Sequence, residues 1–143
     1  MTLEDLLAER EIYRNLVSFA RAMDDRDWKA IDELAIDDLT ASFGMGEIQG
    51  RSQVVAFIQS FLDNCGPTQH LLGNVIIDVS GNTARSTAYV SDMHVGQGDK
   101  SELTFRTLGR YSDQWVKVDG AWLMSHRVKD NGATIGSMDV FGP

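Results

Sequence analysis

Asp24 stands where the apolar face of a predicted helix should continue. The apolar side chains that precede it at spacings of three and four are Tyr13, Leu16, Val17, Ala20 and Met23. An ionised carboxylate is costly in a dry environment unless it is paired, and near a helix C-terminus the macrodipole also disfavours it. These two conflicts favour a functional role for Asp24, and replacing it by Asn should then leave the stability of the fold nearly unchanged.

The acidic cluster around Asp24 also has a purely structural interpretation. Residues 24–28 end the predicted helix, and such clusters often form a solvated turn in which one Asp caps the next helix. Asp27 fits that capping role, because it directly precedes the apolar segment 28–34. Asp24 does not fit it, because the helical stripe points its side chain inward.

Histidine is the second residue type here that could do acid–base chemistry. The sequence contains His70, His94 and His126. The ordinary pKa of histidine lies close to neutrality, so it often acts as a general base. His70 begins a predicted strand, and His94 shares a strand face with small residues that would leave room for a pocket floor. A single strand histidine is more often structural, so each position needs a partner group before it predicts chemistry.

Length, charge and cysteine content limit the classes of protein that fit. A chain of 143 residues predicts one domain, residues 1–143, with a core and room for a ligand cavity. A net charge of −8 argues against an extended nucleic-acid or anionic-membrane surface. No apolar run is long enough to span a bilayer, and the acidic N-terminal segment lacks a signal-peptide pattern. The single cysteine, Cys65, excludes an internal disulfide and fits the reducing cytoplasm.

The order of elements predicts an α+β fold, with helices first and an antiparallel sheet after them. Helices are expected at about residues 3–23, 28–34 and 52–64, with a small hairpin between the second and third. Strands are expected at about residues 68–79, 83–95, 102–118 and 121–130. The tail, residues 131–143, has no regular pattern, but its apolar side chains predict that it packs on the domain. Those side chains are Ile135, Met138, Val140 and Phe141.

Alternation along three of these strands predicts which side chains face the helices. The predicted inward residues of the second strand are Ala84, Ser86, Ala88, Val90, Asp92 and His94. Those of the third strand are Leu103, Phe105, Thr107, Gly109 and Tyr111. In the fourth strand, Trp122, Met124, His126 and Val128 share one face. Together these faces would form one wall of the pocket.

Three segments together resemble a known family. They are Ala-Met-Asp-Asp-Arg-Asp-Trp at 22–28, Thr-Gln-His-Leu-Leu-Gly at 68–73, and Val-Asp-Gly-Ala-Trp at 118–122. This order is similar to that of scytalone dehydratase and the SnoaL-like polyketide cyclases, over about residues 8–130. The resemblance implies the cone-shaped fold of nuclear transport factor 2, in which a strongly curved antiparallel sheet wraps N-terminal helices around a deep pocket. The Asp-Gly-x-Trp hairpin is specific for that fold but carries no information on chemistry.

The same resemblance implies a catalytic site. Asp24 and His70 match the family's Asp and His, a pair that hexachlorocyclohexane dehydrochlorinase also uses, and His94 falls where the dehydratase has its second His. Both relatives are eliminating lyases. Met23 and Phe43 stand where scytalone dehydratase has tyrosines that polarise its carbonyl through water. This departure implies a substrate other than scytalone.

The resemblance therefore implies a cofactor-independent lyase of the dehydratase type, acting on a small cyclic or aromatic molecule. The residues expected to bind it are Phe19, Met23, Phe43, Phe57, Phe61, Ser86, Leu103, Phe105 and Tyr111, with His94, Tyr111 or Ser86 as possible proton donors. Two alternatives stay open: a polyketide cyclase or ketosteroid-type isomerase on the same Asp–His pair, and a non-catalytic binding protein or subunit. No metal site is predicted, since no short-range ligand motif occurs. A homo-oligomer, dimer or trimer, is expected through the outer sheet face.

Overall fold

The structure, a computed structural model, describes residues 1–142 and has the predicted α+β architecture. The helices are α1 (Leu3–Asp24) and α2 (Arg51–Leu62). The strands are β1 (Ala35–Ser42), β2 (Glu47–Gln49), β3 (Thr68–Ser80), β4 (Thr83–Val95), β5 (Thr104–Val118) and β6 (Ala121–Gly136). Short 3₁₀ helices cover Trp28–Glu33, Gly98–Lys100 and Met138–Phe141.

Side-chain caps fix where the first two helical segments begin. Thr2 accepts from the backbone N–H of Asp5, and the Asp5 carboxylate accepts from the backbone N–H of Thr2, which completes a capping box. Asp27 accepts from the N–H of Ala30, as the sequence predicts for a helix cap. The segment it starts is a 3₁₀ helix.

The six strands form one sheet in the order β2-β1-β6-β5-β4-β3. The long strands β3 to β6 pair antiparallel with their sequence neighbours, as predicted. The sequence pattern did not predict that β1 pairs with β6 in parallel. Helix α1 packs against β3 and β6, and the main core lies between the helices and the inner face of the sheet.

The buried face of α1 differs from the predicted stripe by a small rotation. Tyr13 is 44% exposed, whereas Ile12, Leu16, Phe19 and Met23 are buried. The spacing of apolar residues in α1 is ambiguous, because apolar side chains also lie on the part of the helix surface that does not contact the sheet. Asp24, one position beyond the buried Met23, is therefore at the edge of the helix–sheet interface and not on its central line.

Strand β6 has two β-bulges that change which residues face inward. The register on β5 skips Ser125 and then Gly132. Each extra residue reverses the alternation that follows it. The predicted face therefore holds for Trp122 and Met124 only, and beyond Ser125 the inward residues are Arg127 and Lys129.

The predicted inward position of His126 is consequently wrong. Its Nδ1 lies 2.6 Å from Thr40 Oγ1 on the neighbouring strand, and it does not reach the cavity described below.

The predicted irregular tail is also partly wrong, because β6 continues to Gly136. Residues 133–136 pair with β5. The following 3₁₀ helix buries Val140 and brings Phe141 against the sheet, but Ile135 and Met138 are 58% and 55% exposed. Pro143 lies outside the described residues.

The outer surface of the sheet carries several large apolar side chains. Leu71, Tyr89, Met93 and Leu108 are exposed there. The expected homo-oligomer through this face stays a prediction. Among residues 1–142, no helix combines the length and apolarity that crossing a bilayer requires.

Candidate active site

The inner face of the sheet, helix α2 and the last 3₁₀ helix line a cavity of about 270 Å³. Of the residues predicted to bind a substrate, six lie on its wall: Met23, Phe43, Phe57, Phe61, Phe105 and Tyr111. His70 and His94 also line it. The cavity is of the size and apolar character that suit a small cyclic molecule.

Phe19, Ser86 and Leu103, predicted as binding residues, do not line this cavity. The Phe19 ring lies in the core beneath the Arg127 guanidinium, 4.6 Å from the ring centre. Ser86 Oγ accepts a 2.8 Å hydrogen bond from Trp115 Nε1 deep in the sheet, so its hydroxyl already has a partner. Leu103 precedes β5 and is only half-buried.

Aromatic rings in mutual contact form the apolar side of the cavity. Phe43 stacks on Phe57 at 5.4 Å, and Phe57 meets Phe61 edge to face at 5.2 Å. The last 3₁₀ helix completes this wall, because Phe141 meets Phe61 at 5.5 Å and Phe105 at 5.7 Å. Edge-to-face and offset contacts of this kind hold rings in fixed orientations.

Asp24 and His70 are directly hydrogen bonded where the end of α1 meets the start of β3. His70 Nδ1 lies 2.6 Å from Asp24 Oδ1, and the backbone N–H of His70 donates to Asp24 Oδ2 at 3.0 Å. Thr68 Oγ1 donates to Asp24 Oδ1 at 2.9 Å. Burial alone would raise the pKa of the Asp24 carboxyl, but these hydrogen bonds and the charge interaction with His70 outweigh it and lower that pKa.

Asp24 does not itself line the cavity. It lies behind His70, with 19% of its side chain exposed, whereas the His70 side chain is 5% exposed. The prediction that both groups would sit inside one cavity is therefore corrected. Asp24 holds Nδ1 of His70 from outside, and Nε2 is directed towards the cavity residue Asp92, 3.9 Å from its Oδ2.

Arg26 ties together the chain segments that meet at this pair. Its guanidinium donates to the carbonyl oxygens of Leu62 and Gly66 at 3.0 and 2.7 Å. It also donates to Thr68 Oγ1 at 2.8 Å, and Thr68 in turn donates to Asp24. Arg26 adopts a left-handed backbone conformation, with φ of 57°, directly after the end of α1. Arg26 thus positions Asp24 through Thr68.

His94 has a defined tautomer. Its Nδ1 donates a 2.9 Å hydrogen bond to the carbonyl oxygen of Phe105, so Nε2 carries a lone pair when the ring is neutral. Burial lowers the pKa of His94 and so favours that neutral form, although the Phe105 carbonyl and the Asp92 charge oppose the shift. In this state Nε2 accepts hydrogen bonds, so His94 does not suit the predicted role of proton donor.

Asp92 and Lys129 form a charged pair on the cavity wall that the sequence pattern did not identify as part of the site. Lys129 Nζ donates to Asp92 Oδ2 at 2.7 Å, and Thr107 Oγ1 donates to Asp92 Oδ1. Burial would raise the pKa of Asp92, but Lys129 and Thr107 lower it further than burial raises it. The alternation of β4 did place Asp92 beside His94. Lys129 was missed because the bulge at Ser125 reverses the face of β6.

A second buried ion pair lies deeper in the cavity wall. Arg127 donates to both carboxylate oxygens of Asp113, at 2.8 and 2.9 Å. The Arg127 guanidinium also lies 3.6 Å from the ring centre of Tyr111. Burial raises the pKa of the Tyr111 phenol, which keeps it protonated near neutral pH. The bidentate pair with Asp113 and the contact with Tyr111 hold the Arg127 guanidinium in a fixed orientation in this wall.

Comparison with known proteins identifies the family of this chain. Residues 4–128 match the model of the SnoaL-like domain. The chain belongs to the SnoaL-like family. An uncharacterized protein of Mycobacterium tuberculosis is 29% identical over 121 residues, which is 83% of this chain and 82% of that protein. A protein of the same description from Mycobacterium bovis matches with the same values.

Two solved structures show how widely the same fold is used. A protein of Novosphingobium aromaticivorans assigned as a scytalone dehydratase superposes with a TM-score of 0.85 at 24% identity, covering 96% of this chain and 92% of that one. The hexachlorocyclohexane dehydrochlorinase of Novosphingobium barchaimii has a TM-score of 0.83 at 14% identity, covering 94% and 93%. These likenesses confirm the cone-shaped fold of nuclear transport factor 2 for this SnoaL-like protein.

The electrostatics of the site predict that this SnoaL-like protein loses stability in mild acid. The pKa of His94 is lowered from its ordinary 6.5 in the folded protein. Below about pH 6.5 the unfolded chain therefore binds a proton at His94 more readily than the folded chain does, and this favours unfolding. Asp24 and Asp92 add to the loss only below about pH 3.8, their ordinary value. We expect the melting temperature to fall steadily from pH 7 to pH 5.

Replacing His94 by Gln should remove most of that fall, whereas His126→Gln, which changes a histidine outside the cavity, should retain it. Melting curves of the three proteins at several pH values measure this. If the melting temperature of His94→Gln fell with pH as steeply as that of the unsubstituted protein, the assignment of a neutral His94 would be contradicted.

Proposed function

We propose that this SnoaL-like protein is a cofactor-independent lyase that eliminates water from a small cyclic or aromatic hydroxy-carbonyl compound. The observation that supports this most strongly is the 2.6 Å contact between Asp24 Oδ1 and His70 Nδ1. It fixes the histidine tautomer, so that the neutral ring presents the lone pair of Nε2 on the cavity side. A histidine held in this way by a carboxylate is a competent general base.

The proposed reaction needs only His70 to carry the proton. His70 Nε2 removes a proton from the carbon next to the carbonyl group, and the electrons of that C–H bond form an enolate. The enolate then forms a carbon–carbon double bond as the bond to the neighbouring hydroxyl breaks. His70 returns its proton to the departing hydroxide, so the products are an unsaturated carbonyl compound and water.

Asp24 stabilises the charged intermediate state of His70 in this scheme. When Nε2 takes a proton the imidazole becomes a cation, and the Asp24 carboxylate hydrogen bonded to Nδ1 stabilises that cation. The lowered pKa of Asp24 ensures that it is ionised near neutral pH. The apolar walls of Phe57, Phe61 and Phe105 exclude water around the reacting carbon and strengthen this electrostatic effect.

The test of this function is an elimination assay on cyclic β-hydroxy ketones, beginning with 3-hydroxycyclohexanone and its analogues with a fused aromatic ring. Elimination produces a conjugated ketone, whose ultraviolet absorption gives the rate directly. We expect turnover for at least one compound that binds, and we expect the rate to be unchanged by a chelator such as EDTA. Binding of these compounds without any conversion would favour the non-catalytic alternative, and loss of activity with EDTA would contradict the cofactor-independent mechanism.

A further inference from the structure

Hydrogen-bond acceptors converge at the polar end of the cavity. His70, His94 and Asp92 each present one nitrogen or oxygen atom within 4.8 Å of those of the other two. Asp92 Oδ2 is 3.9 Å from His70 Nε2 and 3.7 Å from His94 Nε2. The Nδ1 atoms of both histidines are engaged elsewhere, by Asp24 and by the carbonyl of Phe105. A ligand group at this point therefore meets lone pairs from three sides.

A cationic donor lies directly beside these acceptors. The ammonium of Lys129 is 2.7 Å from Asp92 Oδ2 and 3.3 Å from Thr107 Oγ1. Its side chain crosses Gly109, where a Cβ atom would come within 3.0 Å of Lys129 Cε. An ammonium carries three hydrogens, and Asp92 and Thr107 account for two of them. The third can donate to a ligand.

The acceptor cluster has the composition of a divalent metal site, but Lys129 does not fit that use. Two histidines and a carboxylate can hold a transition metal. Here the carboxylate oxygen that would bind the metal is the one already paired with the Lys129 ammonium at 2.7 Å. A metal ion on that oxygen would lie close to a fixed positive charge and be repelled by it. The combination of acceptors with one donor suits a neutral group that can both donate and accept.

We propose that His94, Asp92 and Lys129 form a subsite that selects a ligand hydroxyl group. The hydroxyl donates its hydrogen to Nε2 of His94, and its oxygen accepts from Lys129, whose ammonium Asp92 holds in place. This inference rests on the proposed function and deepens it, because it names the substrate group, a hydroxyl, that this end of the cavity recognises. Ethers, halides and ketones carry no hydrogen to donate, so they leave a buried acceptor unpaired.

The test compares phenol with anisole and chlorobenzene, which present the same ring without the donor hydrogen. NMR titration of the unsubstituted protein should give a dissociation constant for phenol that is smaller by roughly tenfold or more. In His94→Leu the preference for phenol should shrink to about threefold or less. Lys129→Met should also reduce the preference for phenol. If His94→Leu does not fold, this second variant tests the subsite in its place. Equal binding of phenol and anisole by the unsubstituted protein would overturn the subsite.

Two further measurements distinguish the hydroxyl subsite from a metal centre and from the proposed catalysis. His70→Ala should keep the preference for phenol, because His70 is not one of the proposed hydroxyl partners. A phenol preference without any turnover would therefore overturn the proposed function alone, whereas turnover without a phenol preference would overturn the subsite alone. Titration with Co²⁺, followed by its visible absorption, should show no site that His94→Leu removes. A cobalt site lost in that variant would favour a metal centre and contradict the hydroxyl assignment.

Discussion

Replacing His70 by Ala is expected to lower the elimination rate by at least about 10³-fold while leaving substrate affinity within a few fold. The substitution removes the only proposed proton carrier, whereas the aromatic side chains expected to hold the substrate ring lie mainly on α2, β5 and the C-terminal 3₁₀ helix. Rates measured at saturating substrate, together with direct binding titrations, separate these two effects.

The matched control is His126→Ala, which removes an imidazole of the same size outside the cavity. It should retain nearly full activity once its folding has been checked by a melting curve. A His70→Ala variant with unchanged rate, or one that loses binding and rate in equal proportion, would show that His70 contributes to affinity and not to proton transfer.

Asp24→Asn is expected to lower the rate by roughly 10³- to 10⁴-fold, because an amide cannot stabilise an imidazolium on His70 as a carboxylate does. The amide also presents a donor NH₂ group to the partners that now donate to Asp24, and it can trap His70 in the wrong tautomer. Steady-state rates over a range of pH measure this loss. A rate within about tenfold of the unsubstituted protein would contradict the proposed role of Asp24.

The same substitution should also destabilise the fold, by about 1–3 kcal/mol. From the sequence alone we expected little change, because a carboxylate at a helix C-terminus looks unfavourable. The structure revises that expectation, since Asp24 accepts from Thr68 Oγ1, His70 N and His70 Nδ1. An amide offers only one oxygen to these donors. Denaturant unfolding of both proteins gives the difference, and a loss well above this range would make Asp24 chiefly a structural residue.

Sequence patterns predicted the features that depend on local chemistry. The Thr2 cap, the Asp27 cap and the four long strands follow from capping residues, alternation and turn signals within a few positions of one another. Alternation predicted the inward face of β4, with Asp92 and His94. This prediction is correct because β4 has no bulge in its pairing with β5. The proximity of Asp24 and His70 was implied by the family resemblance, and the structure brings them into contact.

The features that the sequence did not predict depend on contacts between distant segments. Whether β6 bulges at Ser125 is decided by its pairing with β5 and β1, and that bulge exchanges His126 for Arg127 and Lys129 on the inner face. Burial of Ser86 under the Trp115 indole likewise depends on the neighbouring strand. The segments that carry the family resemblance do not include Lys129, so its pairing with Asp92 was found only in the structure.

Solvent deuterium exchange tests the central claim, that His70 removes a proton from carbon. The protein and a cyclic β-hydroxy ketone that it binds are incubated in D₂O, and mass spectrometry follows deuterium uptake next to the carbonyl group. This readout registers proton abstraction even when the hydroxyl group does not leave. The account predicts uptake above the buffer rate for the unsubstituted protein and for His126→Ala, and uptake at the buffer rate for His70→Ala. Equal uptake with and without His70, or neither uptake nor elimination for any compound that binds, would contradict it.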